Sequence, residues 1–267
     1  MKLSTIFGLF GQLRFAIQVS TIPTLRVVFR EPSLLLRPRT ISRLFMAKAW
    51  ESFGHFCDMN GRADKEALLT PNAYGVVLDL GAGHGHTVNY LDHSRVSKYI
   101  ALEPNTFMHE HIRKMAEAAG YSEEAGSLVI LSCGAEDIPT IIRETGRHGV
   151  DSLVSVLTLC SVPDPAITIH DLVEKILKPG GKFLFYEHVR SPQKDVVWLQ
   201  NIWSPIWSTF FDGCSLGRDT VKYINDAGRW SMKDTVEKVD EDPENLFWHE
   251  AGKYVKAEGE EPQVVLI

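Results

Sequence analysis

Val77-Leu78-Asp79-Leu80-Gly81-Ala82-Gly83-His84-Gly85-His86 is the stretch on which the fold is decided. An apolar run that ends in an acid and opens into a glycine turn reads as a strand, Val76–Leu80, leaving a sheet. A helix is expected from about Thr87. Glycines in such a turn let the backbone come close to a ligand where a Cβ would obstruct it. The dinucleotide fingerprint G-x-G-x-x-G would place its third glycine at position 86. That position is His86, and the third glycine is Gly85.

Outward from this turn, short β-rich runs alternate with helical ones. Strands are expected at Lys98–Glu103, Leu128–Ser132, Ser152–Leu157 and Lys182–His188. Helices are expected over Phe107–Ala119, Pro139–Glu144 and Ala166–Leu177, the last stopping at Pro179-Gly180-Gly181. Residues 195–228 read as helical, and Thr235–Val239 and Lys253–Lys256 as two late strands. Strict βα alternation implies an α/β fold: a Rossmann-like, seven-stranded, mostly parallel sheet with helices on both faces. Ligands of such sheets bind beyond the carboxyl ends of the strands, where strand order reverses.

The strand ends name the ligand. A G-x-G-x-G turn (Gly81, Gly83, Gly85) preceded by Asp79 suits an amino acid joined to a nucleoside without phosphate, which is S-adenosyl-L-methionine. Asp79 would steady the turn and the ligand's ammonium. Glu103, 20 residues beyond Gly83, can accept from both ribose hydroxyls. Ala135 and Glu136 after the third strand would flank the adenine, and Val156 at the fourth would cover the other side.

Composition narrows the class further. The chain has 267 residues, 44% hydrophobic, with a formal net charge of −6. That suits a full-sized core and argues against a general nucleic-acid partner. Cys57, Cys133, Cys160 and Cys214 are scattered, which points to free thiols in a reducing compartment, the cytoplasm. With no Cys/His metal spacing, no metal is expected. His84 and His86, and His109 and His111, are two apart, and on a helix such pairs do not share a face.

The charge is unevenly spread. Residues 1–50 hold eight basic residues and one acid, a net +7, while the remainder holds 20 basic and 33 acidic residues, a net −13. Residues 1–70 therefore read as an apolar, basic helical arm, 71–258 as the catalytic domain, and 259–267 as a tail. Leu3, Ile6, Phe7, Phe10, Leu13 and Ile17 sit at helical spacing, and Pro23, Pro32 and Pro38 are expected to interrupt any long helix. Three readings stand for this arm: a cap over the active site, an in-plane membrane anchor through residues 1–40, or a mitochondrial transit peptide.

The chain resembles the class I S-adenosylmethionine-dependent methyltransferases, and more narrowly the methyltransferase-like 7 group of thiol S-methyltransferases with its fungal relatives. The residues that carry the narrower likeness are Thr158-Leu159-Cys160-Ser161-Val162, Leu177-Lys178-Pro179-Gly180-Gly181-Lys182-Phe183, Tyr186-Glu187-His188-Val189, Trp207 and Phe211-Asp212-Gly213-Cys214-Ser215-Leu216. The likeness spans roughly residues 75–258. It implies methyl transfer to a small thiol and, in animal members, a lipid-associated N-terminus. The rivals are an O- or N-methyltransferase of secondary metabolism, a catalytically silent cofactor-binding subunit, and a lipid-surface protein.

A thiol acceptor, already about a few per cent thiolate at neutral pH, asks little of a base. His188, ending the fifth strand, is the candidate base or orienting donor, with a structural histidine as the alternative. Asp212 would position the acceptor or pair with His188, or else serve as a turn acid. Trp203, Trp207 and Phe211 would wall an apolar acceptor pocket, or simply pack the core. Cys160, in the same wall, and Cys214 read as buried thiols rather than nucleophiles. Nucleic-acid amino-methylating enzymes carry Asn/Asp-Pro-Pro-aromatic after strand four. Here the chain reads Leu157-Thr158-Leu159-Cys160, so a small-molecule acceptor is expected.

Overall fold

Seven strands form one sheet in the order β3-β2-β1-β4-β5-β7-β6. They are β1 (Gly75–Leu80), β2 (Val96–Leu102), β3 (Leu128–Leu131), β4 (Val150–Val156), β5 (Leu177–Val189), β6 (Trp230–Glu237) and β7 (Trp248–Lys256). The computed structural model describes residues 3–146, 148–238 and 241–258, without the side chains of 3–7 and 237. The Leu3, Ile6 and Phe7 side chains, Val239 and the 259–267 tail thus lie outside the described residues. Strands β1 to β5 are mutually parallel, and β7 runs antiparallel to both β5 and β6. The chain moves outward from β1 to β3, then returns to place β4 against β1. That reversal opens a crevice above the carboxyl ends of β1 and β4.

Both faces of the parallel strands are buried, so these strands alternate between two cores rather than between core and water, whereas edge strand β6 is exposed over residues 231–236. Leu78, Leu80, Ile100, Leu153, Phe183 and Phe185 pack on one side with Ile138 and Ile141 of α5 (Ile138–Thr145), Ile169 of α6 (Pro165–Asp171) and Ile224 of α8 (Thr220–Asp226). Val77, Tyr99, Ala101, Val154 and Leu184 face the other way. They meet Leu69 of α3 (Arg62–Leu69) and Ile112 and Ala116 of α4 (His109–Ala118). A third apolar cluster joins α1 (Leu3–Arg30) and α2 (Pro38–Asn60) to α7 (Lys194–Phe210), through Leu9, Ala16, Ala49, Leu199 and Trp207.

Several elements differ from the sequence expectation; residues 195–228 are not one helical run but α7 and α8 separated by the non-helical residues 211–219. Pro32 and Pro38 do stand at helix starts, but Pro23 lies inside α1, which continues to Arg30. Leu9, Ala16, Ser20, Thr24 and Val28 form a buried stripe through it, and packing that stripe outweighs the hydrogen bond that proline removes. The helix expected from Thr87 is a single 3-10 turn, His86–Tyr90. Leu91 is already extended, and Asp92 caps a tight turn by accepting from Ser94 N at 2.9 Å. Finally, the helix after β4 ends in a π turn at Ile176, and β5 begins at Leu177. Pro179-Gly180-Gly181 therefore forms a bulge within β5, marked by a register shift between Val150 and Ser152 on β4, a location where proline removes no needed ladder bond.

Candidate active site

A cavity of about 1000 Å³ opens at the crevice above β1 and β4. That is at the upper end for small-molecule sites and leaves room for two ligands. Gly81 and Gly83 line its floor with φ of 59° and 57°. A Cβ on Gly83 would stand 2.7 Å from Trp50 Nε1, and one on Gly81 would collide with Thr158. Both glycines are needed for conformation and for clearance alike. Gly85 does other work. It lies outside the cavity lining, at φ 84°, where its backbone presses on Ile112 of α4.

Glu103 is buried and braces this cradle. Its Oε2 accepts from Gly83 N and its Oε1 from Asn105 N, both at 2.8 Å. Burial pushes its carboxyl up to about 7, against those two N–H groups and with the charges of Asp212 and Asp79 adding to the rise. Asp79 sits beneath the turn rather than in the cavity wall. Its Oδ2 accepts from Tyr99 OH at 2.7 Å, and its buried Oδ1 has no protein partner. Burial raises this carboxyl too, to about 7, against the hydrogen bond from Tyr99. Ala135 and Glu136 line the cavity. Val156 instead packs against the core, and the neighbouring Leu157, at φ 54°, takes the wall.

The other wall is rich in sulfur and aromatic rings. Trp207 and Phe211 stack at 3.9 Å, and Phe247 meets Trp207 edge-on at 5.2 Å. Trp203 lies outside the lining and packs on Phe10 of α1. His188, Cys160 and Cys214 converge here, all buried. Cys214 Sγ is 3.2 Å from His188 Nε2, so Cys214 and not Asp212 is the partner of His188. Asp212 stands exposed at the rim, in the left-handed region at φ 46°. A hydrogen bond with Cys214 holds the Cys160 thiol well below the usual range, against burial and helped by His188. Burial lowers His188, but the Cys160 charge outweighs it and leaves the imidazole raised.

Several lining residues carried no signal in the sequence. Trp50 and Phe53 sit on α2, within the stretch read as an arm, and Gly8, Gly11, Gln12 and Phe15 of α1 also line the cavity. His249 faces His188 across the β5–β7 ladder. Its Nδ1 is 2.7 Å from Glu241 Oε1, and its ring stacks on Tyr186. Thr158 donates to Leu80 O at 2.8 Å and ties the β4 turn to the glycine cradle. His84 and His86 diverge. His84 stacks on His111, and His86 lies 4.0 Å from Asp58.

A family model described as "Methyltransferase domain" matches residues 49–220. The chain is 27% identical over 223 residues to human thiol S-methyltransferase TMT1B, covering 83% of this chain and 81% of that protein. It is 30% identical over 184 residues to the rat protein of the same name, covering 68% and 67%. Among solved structures, an O-methyltransferase family protein from Burkholderia thailandensis superposes with a TM-score of 0.59 at 16% identity, over 83% of this chain and 61% of that one.

Proposed function

The chain belongs to the S-adenosylmethionine-dependent methyltransferase-domain family, and on that premise we propose that it methylates the sulfur of a small apolar thiol. The residues present suit the cofactor. A glycine cradle that no Cβ could enter lies beside a buried carboxylate and above an acid with an orphaned oxygen. Glu103 would accept from the ribose hydroxyls, Ala135 and Glu136 would flank the adenine, and Gly81 and Gly83 would let the backbone approach. Bound there, the cofactor supplies a methyl group on a sulfonium.

The observation that carries the acceptor class is the buried wall of Cys160, His188 and Cys214 in the same cavity. Polarizable sulfur and stacked aromatic rings suit a soft, apolar nucleophile. His188 orients the acceptor sulfur, and Asp212 closes the rim. The chain's largest contribution is holding that sulfur in line with the methyl carbon, an effect worth up to about 7–11 kcal/mol. Likeness to the named thiol S-methyltransferases supports the same reading. Purified chain, methyl-labelled cofactor and a panel of alkyl thiols, phenols and amines form the test. Label should appear on thiols alone. Label on a phenol or amine with every thiol unlabelled overturns the acceptor class, and cofactor binding with no transfer at all makes the chain a silent subunit.

A second reading concerns the N-terminal helices, and their exposed apolar side chains favour it. No helix among the described residues is long and apolar enough to cross a membrane. Yet Phe29 is 79% exposed and Leu36 87%, with Leu25 and Leu35 also open to solvent. Arg26, Arg30, Arg37 and Arg39 are interspersed with them. Such a surface suits in-plane contact with an anionic bilayer. Full-length protein should sediment with anionic vesicles, and Phe29→Asp/Leu36→Asp should stay in the supernatant. Equal sedimentation of both forms rules the contact out.

A further inference from the structure

We propose that Cys160, His188 and Cys214 form a zinc site that takes the acceptor's sulfur as its fourth ligand. The inference deepens the thiol-methylation reading and rests on it for the role of the metal, but the site itself stands on geometry. One ligand atom from each residue lies within 4.8 Å of the others. Tetrahedral zinc with two sulfurs and one nitrogen sets such atoms roughly 3.4–3.8 Å apart. The 3.2 Å between Cys214 Sγ and His188 Nε2 is already close to that, so small side-chain shifts suffice.

The three residues come from separate elements that are firmly joined. The turn carrying Cys160 is gripped by Glu187, which accepts from Thr158 N at 3.1 Å and Leu159 N at 3.2 Å. Arg218 holds the same turn by donating to Leu159 O and Val162 O, both at 2.6 Å. Ser215 N donates to Cys160 O at 3.1 Å, which fixes the Cys214 turn against it. His188 is set by its place on β5. Metal sites need this kind of outer support to keep their ligands in place.

As the cluster stands, its polar groups are under-satisfied. His188 Nδ1 is buried with no protein partner, and beyond the Cys214–His188 pair at 3.2 Å the Cys160 sulfur makes only long contacts, to Leu157 O at 3.8 Å and Ser161 Oγ at 3.6 Å. Glu187 is engaged with Ser155, Thr158 and Leu159 and offers no ligand. Two sulfurs and an imidazole are the donor set that selects zinc over magnesium or calcium. Three protein ligands with one position left open is the pattern of catalytic rather than structural zinc. All three residues line the cavity, so the open position faces the acceptor.

The chemistry balances. The acceptor thiol releases its proton to water as its sulfur joins the metal. The zinc-bound thiolate then attacks the methyl carbon. A carbon–sulfur bond forms there as the sulfonium's bond to that carbon breaks, and its electron pair stays on the cofactor sulfur. The products are a neutral thioether and S-adenosylhomocysteine. A neutral thioether binds zinc weakly, so the product leaves without a further step.

The test is metal content of the full-length chain purified without chelator. Mass spectrometry should find about one zinc per chain, falling below about one tenth in Cys160→Ser and Cys214→Ser. Both variants should keep the wild-type circular dichroism and cofactor affinity. Cobalt substitution should produce a thiolate charge-transfer band that shifts on adding an alkyl thiol and is unmoved by the matching alcohol. A chain that stays metal-free after zinc reconstitution and gel filtration, or cysteine variants that keep full zinc, overturn the site. Metal-free chain that methylates thiols at full rate overturns the zinc while the thiol reading survives. Zinc-loaded chain that transfers only to phenols or amines overturns the thiol reading and the metal's proposed role together.

Discussion

Glu103→Ala should weaken S-adenosylmethionine binding by at least about a hundredfold, since two hydrogen bonds to a charged group at about 1.5–3 kcal/mol each are removed. The variant also releases Gly83 N and Asn105 N from the acceptor that now brings them together. Those donors hold the cradle's shape, so some of the loss comes from a looser turn. Glu103→Gln keeps the volume but turns an N–H toward a backbone N–H, so it should lose nearly as much. Titration calorimetry on a folded variant decides the matter. Affinity within threefold of wild type would falsify this assignment of Glu103.

The same residue sets a pH dependence. In the free chain burial holds the Glu103 carboxyl at about 7, well above its ordinary value. Only the ionised form can accept from both ribose hydroxyls with both of its oxygens, so binding favours loss of the proton. Affinity should therefore rise by about tenfold per pH unit up to pH 7 and level off above it. Glu103→Gln should flatten the profile, and any slope that remains reports Asp79, whose carboxyl is also raised to about 7. The sign for stability is opposite to that of an ion-paired acid. Folding binds protons at both carboxyls between about pH 4 and 7, so the cofactor-free chain loses stability as pH rises through that window.

The convergence of the glycine turn and Glu103 was legible because its signal is local. Asp79, Gly81, Gly83 and Glu103 stand at strand ends, and parallel strands fed by crossovers bring those ends together whatever the helices do. The acceptor side was not legible as a cluster. Cys160, His188 and Cys214 are each unremarkable in sequence. They meet because β5 lies beside β4, and because the chain turns back after α7 until Ser215 bonds Cys160 O. No spacing rule describes that path. Trp50 was hidden differently. It lies in the arm for which a cap over the site was one of three readings, but no residue of that arm stood out, and α2 brings the indole against the glycine turn. Pro23 misled because local propensity was weighed without the buried stripe around it.

The second large effect concerns how that helical layer is held to the sheet. Asp58 near the end of α2 and Lys65 on α3 are 4% and 3% exposed. Asp58 Oδ1 accepts from Lys65 Nζ and from Tyr90 OH, both at 2.6 Å. Tyr90 closes the turn that follows the glycine cradle, so this carboxylate joins the N-terminal helices to the cofactor site. Removing it leaves an ammonium and a hydroxyl buried without their acceptor. Asp58→Ala should therefore cost about 3–5 kcal/mol, lowering the melting temperature by on the order of 10 °C in a chain of this size. Replacing both charges, as Asp58→Leu/Lys65→Met, should cost much less, because no lone charge remains buried. Burial raises Asp58, but Lys65 and Tyr90 outweigh it and hold the carboxyl below its ordinary value. Its contribution is thus complete above about pH 4 and disappears as pH falls through the folded-state value. Thermal melts of the wild type and both variants at pH 7 and pH 3 provide the check. If the single variant melts with the wild type at pH 7, or the double variant falls as far as the single, the pair is not what fastens the helices to the sheet.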